Sequence, residues 1–257
     1  MQNQQPSTLK EIRVHGTQDF PCAFYQTGTR IKGNMVKHHW HEEVELLYFS
    51  GGEFCLEVNM ERFNISEECF YVINPGELHS ISVEKNGGCV ENAVVFHMDM
   101  LSSAYALDQI QTNLIQPVQN GSIQFPRCLR KNEPAFEPVR KSYEEIRNVF
   151  GGDSFRENYY DGEAVTDDIT RQLFIKSALL RILAVLSANN LFEVTEKNHD
   201  HRIETIKTTL TYIQENYKEK IYIRDLAGLI GMNEQYFCRF FKLSLIHISE
   251  PTRHLRI

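Results

Sequence analysis

The chain has 257 residues, 42% of them hydrophobic and 16 of them Phe, so it can bury a substantial core and has room for two structural units. Its formal net charge of −7 excludes a protein that is basic all over, but the charge is uneven: nine Lys/Arg meet six Asp/Glu from Arg202 onward, against 18 and 28 before it. An acidic front and a mildly basic back point to different partners for the two parts.

The N-terminal "MQNQQPSTLKEIRVHG" is polar and cannot form the apolar core of a secretory leader. The six cysteines, at 22, 55, 69, 89, 128 and 238, include no CxxC pair, so reduced thiols in a cytoplasmic protein are expected. From residue 10 to about 127 the chain reads as short strands between turns. Val44 to Phe49 runs into Ser50-Gly51-Gly52. Phe54 to Val58 follows, and Cys69 to Ile73 ends in Asn74-Pro75-Gly76. Ile81 to Val83 and Val90 to His97 complete the set. Strands this closely spaced favour a barrel or sandwich over residues 1–127.

After Pro126 the periodicity changes. Pro138 to Phe150 has helical character, "FGGDSFRENYYDGEAV" reads as a loop, and a long helix is expected from about Thr166 to Ala188. Ile169, Leu173, Leu180 and Leu183 form one apolar stripe on it, and Ile175, Leu179, Ile182 and Leu186 another. Two stripes need two surfaces: the barrel is one, and a second subunit or this chain's own core is the other. Leu173 to Leu191 contains Lys176 and Arg181 at helical spacing, which makes it a packed helix and not a membrane span. "NNLFEVTEKNHDHR" reads as a linker that closes a helical region over 128–199, and helices resume at Ile203.

"KGNMVKHHWHEEVELLYFSGG", residues 32–52, sets three histidines around the only tryptophan. Alternation along a strand puts His39, His41 and Glu45 on one face and turns Trp40 away from it. The spacing is Gly33, five residues, His39, one, His41, three, Glu45, six, Gly52. It matches the first motif of the cupin barrels at each defining position. Pro75-Gly76-Glu77-Leu78-His79 resembles their second motif, with Pro75 abutting Gly76 where the family spaces the two. Three neutral imidazoles and a carboxylate suit Mn, Fe, Zn or Ni. The same His39, His41, Glu45 and His79 equally suit a metal-free pocket for a polyol or an acid, or are satisfied polar groups at a barrel mouth. The expectation is an effector pocket with no cofactor; a divalent metal is the alternative.

"IYIRDLAGLIGMNEQYFCRFFK", residues 221–242, has the order of a helix-turn-helix. Ala227 is the small residue where the helices cross and Gly231 the turn. Leu226, Ile230, Met232, Phe237 and Phe240 take the apolar positions. Asn233 is placed to cap the second helix. Beyond it Gln235, Cys238, Arg239 and Lys242 form a polar face suited to the major groove, where Gln reads adenine, Arg reads guanine and Lys meets phosphate. The alternative is an ordinary helical hairpin with a solvated face.

The whole chain resembles the AraC-type (arabinose-regulator) family of bacterial transcription regulators. "IETIKTTLTYIQENYKEKI" resembles the helix that opens that family's DNA-binding domain, and "DLAGLIGMNEQYFCRFFK" its first helix-turn-helix. The resemblance implies an α+β fold: an N-terminal cupin-like β-barrel, a helical dimerisation linker and a partial all-α helix-turn-helix domain over 200–243. It also implies a cytoplasmic homodimer that senses a small polar molecule, often a sugar, and binds promoter DNA, with no enzyme activity and no membrane partner. Effector contacts fall to His39, His41, Glu45 and His79, and DNA contacts to Asn233, Gln235, Cys238, Arg239 and Lys242. A metal-dependent cupin enzyme is the rival from another class. Tyr222 stands where the family has a Ser or Thr cap, a loss of about 1 kcal/mol. Residues 244–257 match no family pattern, read as foreign sequence joined to a truncated regulator lacking its second module, and are expected to carry no function.

Overall fold

The computed structural model describes residues 9–11, 13–29, 31–85, 89–105, 107–151, 160–161, 168–195 and 201–245. Its strands are β1 (Cys22–Thr29), β2 (Gly33–His39), β3 (Val44–Phe49), β4 (Phe54–Val58), β5 (Glu61–Ile65), β6 (Cys69–Ile73), β7 (His79–Val83), β8 (Cys89–Phe96), β9 (Ile123–Gln124), β10 (Cys128–Arg130), β11 (Tyr160–Asp161) and β12 (Glu193–Val194). The helices are α1 (Gln116–Gln119), α2 (Phe136–Val149), α3 (Ile169–Ala188), α4 (His201–Asn216), α5 (Ile223–Leu229) and α6 (Glu234–Leu245).

One sheet has the order β10-β6-β3-β8-β1-β11 and faces a second with the order β2-β7-β4-β5; the pairings are antiparallel. The sequence of β3, "VELLYF", shows how period two builds both layers. Leu47 and Phe49 point between the sheets, where they join Phe54, Leu56, Ile73 and Ile81. Val44, Leu46 and Tyr48 point the other way, into a core that α2 and α3 complete. Each such Leu or Phe contributes about 1.5–3 kcal/mol through removal from water.

The structure departs from the sequence reading in several places. β1, β2 and β5 are strands the pattern did not mark, because their outer faces are polar or half-exposed. The expected loop after Phe150 contains β11, which pairs with β1, and the expected linker contains β12, which pairs with β9. α3 begins at Ile169, where the Asp168 carboxylate accepts from the Thr170 and Arg171 amides at 2.9 and 3.1 Å. Its two stripes are not as assigned: Leu183, at 3% exposure, is buried with Ile175, Leu179, Ile182 and Leu186. Ile169, Leu173 and Leu180 are 72%, 62% and 43% exposed, and Phe174 is exposed beside them. Ser244 and Leu245, read as tail, extend α6; residues 246–257 lie outside the described residues. No helix among the described residues is long and apolar enough to cross a membrane.

Helix α4 rests on the barrel. Ile206 packs with Leu9 and Leu78, flanked by Trp40, Met60, Leu210 and Phe240. Lys207 donates from Nζ to the Gly76 carbonyl, and its charge lies 4.6 Å from the Trp40 ring centre. Phe240 was expected in the helix-turn-helix core. It packs here instead, and Phe241 takes the place beside Leu226, Ala227 and Phe237.

Candidate effector pocket and nucleic-acid interface

The histidines do not converge by strand alternation alone. The pairing of β2 with β7 slips between Asn34 and Val36 and again between Val36 and His39, and the strand ends at His39. His41 lies past that end, in the bend before β3, where its carbonyl accepts from the Gly76 amide at 2.7 Å. His79 stands opposite His39 in the β2–β7 register, and Glu45 opposite Ile73 and Val95 on β3. The four predicted side chains are thereby brought together, with their ligand atoms all within 4.8 Å of one another.

Each ring is anchored in the same way. Nδ1 of His39, His41 and His79 lies 2.8, 3.2 and 2.9 Å from the carbonyls of Lys37, Glu43 and Glu77. A carbonyl only accepts, so each Nδ1 carries a proton and each Nε2 of a neutral ring is left as a lone pair. Those lone pairs face carboxylates. His79 Nε2 and His41 Nε2 are 2.9 and 3.4 Å from Glu45 Oε2, and His39 Nε2 is 3.3 Å from Glu11 Oε2. His41 and His79 are 3% and 1% exposed, so these contacts lie largely out of bulk solvent. A proton on either ring turns its contact with Glu45 into a hydrogen bond.

The electrostatics follow from this crowding. Burial and the neighbouring His79 push His39 down to about 4, so it is neutral at physiological pH. Burial also works against charge on His41, but the hydrogen bond and charge of Glu45, with Glu43 and Glu11, outweigh it and raise its pKa. Burial alone would raise Glu45; the hydrogen bonds and charges of His41 and His79 hold it well below the usual carboxylate range.

His39, His41 and Glu45 line a cavity of about 400 Å³ between the sheets, and the buried His79 stands behind them. Sequence reasoning missed several of its walls. Glu11 and His15 arrive on the segment before β1, and His15 Nδ1 lies 2.8 Å from the Tyr25 hydroxyl. Glu91 and Thr27 come from β8 and β1, opposite each other in register. The i,i+4 spacing of Glu11 and His15 was the one available signal; Glu91 gave none, since acids are common at strand ends. Trp40 is outside the cavity, as expected, and carries Lys10 and Lys207 over its ring.

At the other end of the chain, α5 and α6 form the expected helix-turn-helix. Ala227 is buried at the crossing, and the Gly231 amide donates to the Gly228 carbonyl at φ +67°, a left-handed conformation that glycine adopts without strain. Asn233 Oδ1 accepts from the Tyr236 amide at 2.8 Å, so it caps α6 as expected, and that oxygen is engaged in the cap. Gln235, Cys238, Arg239 and Lys242 are exposed along one side of α6, beside an exposed Tyr236 that the sequence reading passed over. At the start of α5 the Asp225 carboxylate accepts from the Tyr222 amide at 3.3 Å, and Lys220 and Arg224 flank the Tyr222 ring. Those contacts offset part of the missing hydroxyl cap.

Residues 27–147 match the family described as the AraC-like ligand-binding domain. Over 245 residues the chain is 25% identical to the uncharacterized HTH-type transcriptional regulator YdeC of Bacillus subtilis (strain 168), covering 92% of this chain and 76% of that protein. Residues 27–147 thus resemble the ligand-binding domain of AraC-type regulators. The match takes in His39, His41, Glu45, His79 and Glu91, while Glu11 and His15 precede it. Among solved structures, ToxT of Vibrio cholerae O395 is similar at 9% identity and a TM-score of 0.36, covering 90% of this chain and 75% of that one. A predicted oxalate decarboxylase of Thermotoga maritima is similar at 24% identity and a TM-score of 0.28, over 29% of this chain and 67% of that one.

Proposed function

We propose that this regulator takes a small polar effector between the sheets of its barrel, through His39, His41, Glu45 and His79, and transmits its presence to promoter DNA bound along α6. The observation that carries the reading is the cluster of three imidazoles and a carboxylate, three of whose four members line one cavity, in a chain that also presents an exposed polar helix-turn-helix face. Gln235 and Arg239 serve as base-reading groups, Lys242 as a phosphate contact, Cys238 as a neighbour on the same face, and Asn233 chiefly as the cap that positions them. The working unit is a homodimer joined through Leu173 and Leu180 of α3, in the compartment that holds the DNA. Calorimetry against a panel of sugars and carboxylic acids, on wild type and His41→Ala, tests the pocket. Equal affinity in the two proteins rejects it.

A second reading is favoured by the Nδ1–carbonyl anchors. Such anchors fix the rings of metal-binding histidines, and the facing lone pairs of His39, His41 and His79 with Glu45 fit a divalent transition metal. The donor set therefore fits, and a bound metal would supply an electrophilic centre for an effector's oxygen atoms or, on the rival enzyme reading, a Lewis acid. Without metal, a proton on His41 is the cation that Glu45 shares. Elemental analysis of purified wild type and His79→Ala separates the two: stoichiometric metal lost in the variant establishes the metal site, and its absence from wild type leaves the proton-sharing pocket.

A further inference from the structure

We propose that the effector carries a positively charged amine, and that Glu91 binds it at the end of the pocket away from the histidines. The inference rests on the barrel being the effector pocket. Val95 lies opposite Glu45, and Glu91 is four residues back along β8, about 13 Å of strand from the histidine cluster. Its side chain is 2% exposed and lines the cavity, with Thr27 opposite it on the same wall. Among the described residues no donor reaches its Oε1, which is buried without a partner.

A buried carboxyl costs several kcal/mol to ionise unless a cation accompanies it, so in a protein it is either paired or neutral. Among the described residues no cation of the barrel supplies the pair. The carboxylates along the cavity are Glu11, Glu45 and Glu91, and Lys37 is the one Lys or Arg among its described lining, exposed at the rim. Burial and the charge of Glu45 push Glu91 well above the usual carboxylate range. An anionic group at this end would meet two acids and no counter-charge. A hydroxyl would satisfy the neutral acid but leave the acidic field uncompensated. An ammonium meets both needs: it displaces the Glu91 proton to solvent, pairs with the carboxylate, and can share Thr27. The distance to the histidines then requires a molecule with a second polar end.

The test uses the full chain and two probes that differ at one end, 5-amino-1-pentanol and 1,5-pentanediol, titrated by calorimetry at pH 7. The amino alcohol is expected to bind about 10- to 100-fold tighter, the range of one charge-assisted contact. Glu91→Gln should bring the ratio to near one, and Glu91→Asp should keep part of it. Circular dichroism melts of both variants check folding, and Gln is expected to fold because it removes a buried ionisable group. His41→Ala should weaken both probes equally and leave the ratio intact. Equal affinities in wild type, no saturable binding of the amino alcohol at millimolar concentration, or a preference that survives Glu91→Gln overturns the amine site. A ratio of one together with loss of both probes in His41→Ala overturns it while leaving the histidine pocket standing. An intact, Glu91-dependent ratio with no effect of His41→Ala supports the amine site and rejects the histidine pocket.

Discussion

Lys207 is the side chain whose loss should most directly separate the helix-turn-helix unit from the barrel. It is buried at the foot of α4, donates to the Gly76 carbonyl and lies over Trp40. Lys207→Met keeps the apolar stem against the indole and removes the charge. Leaving the Gly76 carbonyl without a partner costs about 1–3 kcal/mol. The desolvated cation–π contact adds up to about 2 kcal/mol. Glu204, the carboxylate 3.1 Å away, is 57% exposed and contributes less than about 1 kcal/mol. The docked arrangement should therefore weaken by about 2–4 kcal/mol, which raises the undocked population about 30- to 1,000-fold. Hydrogen exchange reads this directly, because the Gly76 and Leu78 amides are bonded to the His41 carbonyl and to Asn59 Oδ1 within the same loop. Their exchange should accelerate with that of α4. His79 follows in the chain, so effector affinity should shift as well, and by reciprocity effector should alter docking. Unchanged exchange in the loop and in α4, with wild-type effector affinity, would refute the argument that this lysine couples the two units.

Three further outcomes are expected. Leu173→Glu with Leu180→Glu should convert a dimer to a monomer by light scattering without lowering the melting temperature, because both side chains are solvent-facing on α3; an unchanged mass rejects that face as the interface. Glu91 has its folded pKa raised above the unfolded value of 4.5, so its stability contribution is intact below that pH and is lost as pH rises toward the folded value. Glu91→Gln should accordingly melt higher than wild type at neutral pH, with the gap closing below pH 4.5, and a pH-independent gap contradicts the assignment. Binding of a promoter fragment along α6 should fall steeply with salt by fluorescence anisotropy and weaken by about 10-fold or more in Arg239→Ala, and unchanged affinity in the variant refutes α6 as the base-reading helix.

Legibility in the sequence followed burial. β3, β4 and β6 have apolar residues on both faces or strict alternation within short turns, and their limits were readable to the residue. β5, "ERFNI", has two inward apolar residues, Phe63 and Ile65, of which Ile65 alone is fully buried, and a polar outer face, and its hairpin turns through Asn59-Met60, both at positive φ, without the Asn-Gly that announces such a turn. β11 and β12 are two-residue pairings made by long-range register and leave no local signature. The stripes of α3 misled at Leu183 because helical spacing ranks positions by angle, while the width of the buried face depends on what packs there. Here α2 and the barrel wall together cover a broader arc than one stripe.

The site was legible as a constellation and not as a mechanism. Spacing named His39, His41, Glu45 and His79, but alternation alone does not bring His41 inward; two slips of register and a bend beyond the strand do that. The features that decide what the pocket holds are non-local. Glu11 reaches His39 from a segment tied to the barrel by backbone bonds between Leu9, Glu11 and Trp40, and Glu91 stands on the opposite sheet from β2. The same bonding explains why Trp40, useless to the pocket, sits in its midst. Its backbone holds the segment that delivers Glu11, while its ring faces Lys207 and the cluster beneath α4. A side chain turned out of the binding cavity is thus the one placed to report on it, and a substitution that preserves the Trp40 backbone but removes its ring should loosen α4 before it disturbs the histidines.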